Sequence, residues 1–260
     1  MRALKTYRFL SVALIAATTL AVQATYAATR VQGFESGDPA VNGFGDAGTQ
    51  IGYQGEAATD PTHWYLLTTI RSTDNEDGVT SQSGSNALAV ATLNDASHFN
   101  GAAPAGGIDG SGVFIPFTVN AGDQFLTFDY DFLSNEPGQT TPRNDFSFAA
   151  FFTTSGTVIA GTTTKFATVT GSVFSLFGAQ TPFVFHTGVL TLQMSVSGLA
   201  PGSYLLGIGV EDATNGDHAS GVLIDNVQIA TAVPEPTTIA FSVAGAALLV
   251  ALRKRIKKTS

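Results

Sequence analysis

The stretch that decides the fold is DQFLTFDYDFL, residues 123–133, in which apolar and polar side chains alternate. The apolar members fall at every second position and share one face: Leu126, Phe128, Tyr130 and Phe132. Because successive side chains of a β-strand point to opposite faces of a sheet, this pattern predicts a strand with one apolar face.

Seven further segments are also predicted to be strands, because each is a short apolar run between Gly, Asn, Asp and Pro residues. They are 63–70 (HWYLLTTI), 86–93 (NALAVATL), 112–119 (GVFIPFTV), 145–152 (DFSFAAFF), 188–196 (GVLTLQMSV), 203–211 (SYLLGIGVE) and 221–229 (GVLIDNVQI). In 145–152 we expect Phe146, Phe148 and Phe152 to share one face. Strands without intervening helices predict an all-β fold, an antiparallel β-sandwich of jelly-roll type.

The N-terminus has the pattern of a secretory signal peptide, residues 1–27. Three basic residues (Arg2, Lys5 and Arg8) precede an apolar run, and the small residues Thr25 and Ala27 suit a signal peptidase. We therefore expect the mature chain to begin at Ala28 and the protein to be exported. An uncleaved N-terminal anchor is the alternative.

The C-terminus combines an extended triplet, an uncharged apolar run and a basic end. Pro234, Glu235 and Pro236 precede residues 237–252, and the five basic residues of 253–258 follow. Two prolines keep the triplet out of the following helix. The apolar run is long enough for a short membrane-spanning helix, and the basic end favours the cytoplasmic side. A single-pass anchor is one reading of this pattern.

Residues 233–258 resemble the PEP-CTERM sorting signal of Gram-negative bacteria in all three parts. The resemblance implies transient anchoring in the inner membrane, cleavage near the triplet by an exosortase, and delivery to the cell surface or extracellular matrix. On this reading the tail is a removable tag.

The body between these ends, residues 28–231, is strongly acidic. It contains four basic residues (Arg30, Arg71, Arg143 and Lys165) against 19 acidic ones, a net charge of −15. Such a surface repels phosphate backbones, so we expect no nucleic-acid partner. The chain has no cysteine, which excludes disulfides, thiol catalysis and thiolate metal sites.

Three pieces of the body resemble the jelly-roll domains common in PEP-CTERM proteins: GFESGD near the mature start, AGDQFLTFDYDFLSNE in the middle and SGVLIDNVQI at the end. Those domains are similar in layout to carbohydrate-binding modules. The resemblance supports the fold and carries no reaction with it.

Asp225 is the first candidate metal ligand. Strand parity places it with Leu223, Val227 and Ile229 on the core face, unless a bulge shifts the register. A buried carboxylate needs a partner, and calcium, which takes six to eight oxygen ligands, suits it. In the resembling jelly rolls an acid near the start and an Asp in the last strand often hold a structural Ca²⁺, which implies Glu35 and Asp225 here. The alternative is that Asp225 accepts backbone amides.

A second candidate metal group is formed by Glu136, Asp145 and Asp217, which lie in or beside loops that can converge at one end of a sandwich. An ion pair with Arg143, or ordinary solvated turns, is the alternative. Trp64 and Tyr65, with Tyr53 before them, are the candidate sugar-stacking platform, since amphipathic rings suit such sites. The competing reading places Trp64 in the core.

Catalytic patterns are weak. The four histidines form no HExxH motif, and no GxSxG motif is present. Asp129 and Asp131 form the carboxylate pair available to a glycosidase, although alternating strand carboxylates more often face solvent. We therefore expect a non-catalytic, exported β-sandwich of the exopolysaccharide matrix. A carbohydrate-binding module is the main alternative, and an extracellular hydrolase is the third.

Overall fold

The structure is a computed structural model that describes residues 25–35, 38–51, 63–70, 87–136, 144–177, 183–213 and 218–233. The chain divides into two compact units, residues 28–230 and the two ends, 1–27 with 231–260. Of the second unit only 25–27 and 231–233 are described. Most of the predicted signal peptide and the PEP triplet with its tail therefore lie outside the described residues. Within the described residues, no helix has the length and apolarity needed to cross a membrane.

The described residues form strands and one helical turn. In chain order they are β1 (Thr25–Gln32), β2 (Asn42–Phe44), β3 (Asp46–Ile51), β4 (His63–Thr68), β5 (Leu88–Ala89), α1 (Val90–Leu93), β6 (Asp109–Val119), β7 (Asp123–Ser134), β8 (Phe146–Thr153), β9 (Thr164–Thr168), β10 (Ser175–Leu176), β11 (Phe185–His186), β12 (Leu190–Ser195), β13 (Gly202–Asp212) and β14 (Ser220–Val233).

Two antiparallel sheets pack face to face as a β-sandwich, which confirms the predicted fold. The eight-stranded sheet runs β10-β11-β7-β14-β4-β3, with β12 paired to β7 and β1 paired to β14. The six-stranded sheet runs β2-β6-β13-β8-β9, with β5 paired to β6. The long strands β7 and β13 therefore lie inside their sheets with partners on both sides.

The predicted strands are present with small shifts at their ends, and one segment differs. In 86–93 only Leu88 and Ala89 form a strand, and the next four residues make the helical turn α1. Short apolar runs do not distinguish a strand from a helical turn by periodicity alone, which explains the error.

The main core lies between the sheets. The predicted apolar face of β7 is part of it, with Leu126, Phe128 and Phe132 completely buried. Val113 and Ile115 of β6 and the inward side chains of β13 and β14 pack against that face. Period-two alternation on the long strands thus builds the interior as predicted.

A second apolar layer covers the outer face of the six-stranded sheet. Phe146, Phe148 and Phe152 face outward from β8, while Ala149 and Phe151 face the main core. The prediction that the three phenylalanines share one face is confirmed, but that face packs under residues 87–108 rather than between the sheets. Both faces of β8 are apolar, so alternation alone could not decide which one is inside.

Phe99, from the covering segment, is the centre of this layer. Its ring lies 4.8 Å from that of Phe148 and 5.6 Å from that of Phe114. Gly207 and Gly209 of β13 make room for these rings, since an added Cβ would lie 2.5 Å from Phe152 and 2.6 Å from Phe148 respectively. A side chain at Gly207 or Gly209 would therefore displace these rings and the segment 87–108 that covers the sheet.

Candidate functional site

The outer face of the eight-stranded sheet carries a row of polar side chains, which we call the polar strip. It crosses three neighbouring strands and consists of Thr127 and Asp129 (β7), Thr191 and Gln193 (β12), and Asn226 and Gln228 (β14). Thr191 lies directly opposite Asp129, and Gln193 directly opposite Thr127. The strip is half-buried to exposed.

The strip's side chains face outward because apolar and polar residues alternate on each strand. Phe128 of β7 and Leu192 and Met194 of β12 pack against the core, so the residues between them face outward. On β14, Asn226 has a positive φ of 52°, and the core-facing residues change from even to odd positions around it, as a local bulge produces. Asparagine tolerates this left-handed conformation better than most residues.

Asp129 is the centre of the strip's hydrogen bonds. Thr191 Oγ1 donates to Asp129 Oδ1 at 2.6 Å, and Asn226 Nδ2 donates to Asp129 Oδ2 at 2.9 Å. Gln228 Nε2 in turn donates to Asn226 Oδ1. Carboxylate, amide and hydroxyl groups on three strands are thus held in a fixed arrangement at the surface.

The bulge at Asn226 corrects the predicted orientation of Asp225. Val222, Ile224, Val227 and Ile229 all face the main core, so the inward set changes parity between 224 and 227. Asp225 is half-buried on the side away from that core, and Asn226 N donates to its Oδ1 at 2.6 Å. The parity argument for a core carboxylate is therefore wrong, since it assumed an unbroken strand.

Asp225 and Glu35 are nevertheless close enough to interact. Burial raises the pKa of Asp225 to about 6, with smaller upward contributions from the charges of Glu35 and Asp129. The hydrogen bond from Asn226 N and the charge of Arg30 act in the opposite direction. An excess of negative charge suits a cation here, but no three acidic or imidazole side chains of the described residues are grouped as metal ligands.

One end of the strip adjoins a buried carboxylate that holds a histidine. Asp131 is completely buried; its Oδ2 lies 2.9 Å from His186 Nδ1, and its Oδ1 accepts bonds from the Thr187 backbone N and Oγ1. The His186 ring also packs on Phe177 at 4.4 Å. Asp129 and Asp131 share the outer face, as alternation predicts, but Asp131 is occupied in fixing β11 to β7.

Trp64 and Tyr65 do not form an exposed platform. They are 4% and 6% exposed and point to opposite faces of β4. Tyr65 stacks on Phe34 in the main core, and burial raises its pKa to about 12. Trp64 packs with Leu66 and neighbouring apolar residues on the outer face of the sheet. The core reading of Trp64 fits this placement, and Tyr53 lies outside the described residues.

Glu136 and Asp145, from the second candidate metal group, do come together. Burial raises the pKa of Asp145 to about 7, and the charge of Glu136 adds to the rise. Asp217 lies outside the described residues. The sequence prediction therefore found two neighbouring acids but not Asp212, whose side chain also lies beside Asp145.

The strip residues other than Asp129 were missed by the sequence reasoning. Their signal was present in LTLQMS and IDNVQI, where Thr, Gln and Asn alternate with core residues. Alternation identifies such positions as outward, but it does not show that three strands place them side by side.

Among solved structures, carbohydrate-binding modules are similar to this chain. A module studied for specific mannan recognition is 13% identical, with a TM-score of 0.42, and the match covers 82% of this chain and all of that one. A module from work on promiscuous specificity in the β-sandwich superfamily is 11% identical, with a TM-score of 0.37, over 77% of this chain and 61% of that one. A module specific for non-crystalline cellulose is 11% identical, with a TM-score of 0.34, over 71% and 87%.

These similarities concern the sandwich fold. No protein-family model matches the chain, and no curated protein sequence is significantly similar to it. The class that the fold itself defines is an all-β sandwich of two antiparallel sheets.

Proposed function

We propose that this protein is an exported β-sandwich that binds extracellular polysaccharide through the polar strip and performs no catalysis. The observation that carries the proposal is the hydrogen-bonded row Thr191–Asp129–Asn226–Gln228 on an open sheet face. Sugars present dense hydroxyl groups, which pair with carboxylate, amide and hydroxyl side chains as both donors and acceptors.

The chemistry of the strip favours a glycan over other partners. The cores of protein–protein interfaces are depleted in charged residues and enriched in aromatic ones, whereas the strip has a carboxylate at its centre. The acidic body disfavours nucleic acid. Adjacent strands lie about 4.8 Å apart, so polar groups recur across the sheet at a spacing suited to successive sugar rings.

A binding experiment tests the strip directly. Purified protein is applied to an array of bacterial and plant polysaccharides, and affinity for the best ligand is measured for Asp129→Asn combined with Thr191→Val. We expect a loss of about tenfold or more, because hydrogen bonds to a charged group contribute roughly 1.5–3 kcal/mol each.

The matched control is Thr118→Val, because Thr118 is an exposed strand threonine on the outer face of the six-stranded sheet. It should bind as the natural protein does. Absence of binding to any polysaccharide, or wild-type affinity in the double variant, would contradict the proposal.

Export and sorting form a separate part of the proposal. Signal peptidase removes residues 1–27, the C-terminal helix holds the protein briefly in the inner membrane, and an exosortase cleaves near Pro234–Pro236. The protein then resides at the surface, or in the extracellular matrix, of a Gram-negative cell. Mass spectrometry of the native protein should find Ala28 first and no residues beyond the triplet region. An intact end at Ser260 would instead indicate a lasting membrane anchor.

Structural calcium at Glu35 and Asp225 is a further proposal, supported by the interaction between these two carboxylates. The described side chains do not make a complete ligand set, so backbone carbonyls and water must supply the remainder. At one hundred times Kd, calcium stabilises a native state by about 2.7 kcal/mol. Chelator should therefore lower the melting temperature of the natural protein by more than that of Asp225→Asn; equal melting of the natural protein with and without chelator would exclude this site.

A further inference from the structure

The strand β12 lies at an open edge of the eight-stranded sheet. It pairs with β7 through six consecutive residues, from Leu190 opposite Tyr130 to Ser195 opposite Phe125, without a break in register. No other strand of the described residues pairs with β12. A strand edge of this kind presents a row of backbone donors and acceptors to which a further strand can add.

The residues that present those backbone groups follow from the ladder itself. Val196 N donates to Gln124 O at 2.9 Å, one position beyond the last strand pair. Hydrogen-bonded and non-hydrogen-bonded positions alternate along an antiparallel ladder, so the even-numbered residues of β12 bond to β7. The odd-numbered residues direct their backbone N–H and C=O groups to the open side: Thr191, Gln193 and Ser195.

The other outer strands of the described sheets carry features by which proteins prevent edge-to-edge pairing. Three of them, β2, β5 and β10, have only two or three residues. β1 contains Arg30, β3 contains the buried Asp46, and β9 contains the exposed Lys165 and a register shift against β8. β12 has six residues with neither a charge nor a proline. It is therefore the outer strand on which pairing is least opposed.

The sequence of β12 is complementary to itself in antiparallel register. When Gln193 lies opposite Gln193 of a second copy, Thr191 lies opposite Ser195 and Leu192 lies opposite Met194. Polar residues then meet polar ones on the outer face of the sheet. Apolar residues meet apolar ones on the core face, where Leu192 and Met194 already pack. Cross-strand pairs of matching character stabilise a sheet.

The same register gives a contact to an exposed apolar side chain. Leu190 is 46% exposed, and in this register it lies opposite Val196 of the second copy. The added contact would cover part of its surface.

The charge distribution favours a second copy at this edge. Two bodies of net charge −15 repel each other, but no charged residue or histidine occurs from 187 to 210. In the paired register, Asp129 and its equivalent are three strand spacings apart, about 14 Å or more. That separation exceeds the Debye length of about 8 Å at physiological ionic strength, so their repulsion is largely screened.

We propose that the protein forms a two-fold symmetric dimer in which β12 pairs antiparallel with β12 of a second copy. The eight-stranded sheets of the two copies then form one continuous sheet. The interface is isologous, since the same six residues contribute from both sides. The dimer does not depend on polysaccharide binding, although it places the two polar strips side by side on one face.

Sedimentation of the mature protein over a dilution series tests the dimer. A six-residue strand pair is a small interface, so we expect a dimer that dissociates on dilution. Gln193→Lys places two like charges opposite each other on the dimer axis and should weaken dimerisation by about tenfold or more. Gln193→Glu should have the same effect. Mixing these two variants should restore dimers, because opposite charges then face each other.

The matched control is Thr118→Lys, which makes the same change in net charge at an exposed strand position of the six-stranded sheet. It should dimerise as the natural protein does. Ser195→Pro removes an N–H that points to the open edge, so it should weaken the dimer and leave the ladder with β7 intact.

Far-UV circular dichroism checks that each variant is folded, and Ser195→Pro supplies the readout if a charged variant is not. A natural protein that is monomeric at every concentration would overturn the proposal. Unchanged dimerisation in Gln193→Lys, or no recovery of dimers in the mixture of Gln193→Lys with Gln193→Glu, would overturn it as well.

Discussion

The two sheets present opposite outer faces. On the six-stranded sheet, Phe114, Phe148 and Phe152 lie beneath residues 87–108, with the Phe99 ring inserted over Gly207 and Gly209. On the eight-stranded sheet, much of the outer face instead carries Asp129, Thr191 and their hydrogen-bonded neighbours, half-buried or exposed. Strands with the same alternation of side chains thus form one outer face that is apolar and covered, and one whose polar groups remain available to a ligand.

This difference separates stability from binding. Aromatic rings on a covered face contribute through burial and packing, so their loss weakens the fold. Surface polar groups contribute little to folding but retain donors and acceptors for a ligand. Substitutions on the two faces should therefore have different consequences.

The largest effect is expected from Phe99→Ala, which removes the ring that holds the cover on the six-stranded sheet. Phe99 is completely buried among other phenylalanine rings, so its truncation should lower the free energy of unfolding by about 3–5 kcal/mol. Urea unfolding measures this. Val173→Ala, at a side chain 88% exposed, is the control and should change stability little.

A loss below about 1 kcal/mol in Phe99→Ala would mean that residues 87–108 do not form a packed cover. Neither outer face would then carry a packed cover, and the contrast drawn between the two sheets would be wrong.

A smaller effect on the free energy of unfolding is expected from Glu211→Gln. Glu211 is a carboxylate on the covered outer face of the six-stranded sheet. Burial raises its pKa from 4.5 to about 8, with Lys165 opposing the rise and Asp109 adding to it. The folded state therefore holds this proton more tightly than the unfolded one. Its stabilising effect is present below about pH 4.5 and is lost as pH rises through about 8.

Glu211→Gln removes this titration. In chelator, we expect the variant to be more stable than the natural protein at pH 8.5 by on the order of 1–3 kcal/mol and similar to it at pH 4.5. Asp95→Asn is a control of opposite sign, because the Ser97 N–H holds the pKa of Asp95 below its usual range. Parallel pH profiles for Glu211→Gln and the natural protein would show that folding does not change the pKa of Glu211.

The smallest effect on folding is expected on the polar strip. Thr191→Val and Gln193→Ala replace exposed side chains, and each should change the free energy of unfolding by about 0.5 kcal/mol or less. Chemical denaturation checks this on the two single variants and on the double variant used for polysaccharide binding. A large destabilisation would place these residues in the structural framework and make any loss of binding indirect.

The sequence predicted the long strands because each carries enough alternation to fix its faces. Leu126, Phe128, Tyr130 and Phe132 face the core as expected. The two-residue strands β10 and β11 were not predictable, since β10 is defined by its pairing with β11 and β11 by its pairing with β7, rather than by a pattern of their own. Residues Val90–Leu93 form a helical turn, although the apolar run in which they lie would also suit a strand.

The candidate sites were less predictable, for local reasons. One residue in the left-handed conformation, Asn226, reverses the parity on which the placement of Asp225 depended. For Trp64 the sequence left both an exposed platform and a core position open, because composition cannot show what covers a side chain. Glu136 and Asp145, which their loops suggested could converge, do lie near each other, whereas Asp212 falls within a strand pattern and gave no such indication.

The pairing of strands far apart in sequence has a consequence for the export that we propose. Thr68 of β4 pairs with Gly221, and Val119 of β6 pairs with Gly202, so neither sheet is complete until the last strands are present. Long-range pairings of this kind slow folding, because chain entropy is lost before the contacts form. A chain exported from its N-terminus would keep an unclosed sandwich inside the cell and complete it only after β13 and β14 had crossed. The topology itself would keep the polypeptide threadable during translocation, without any dedicated unfolding step.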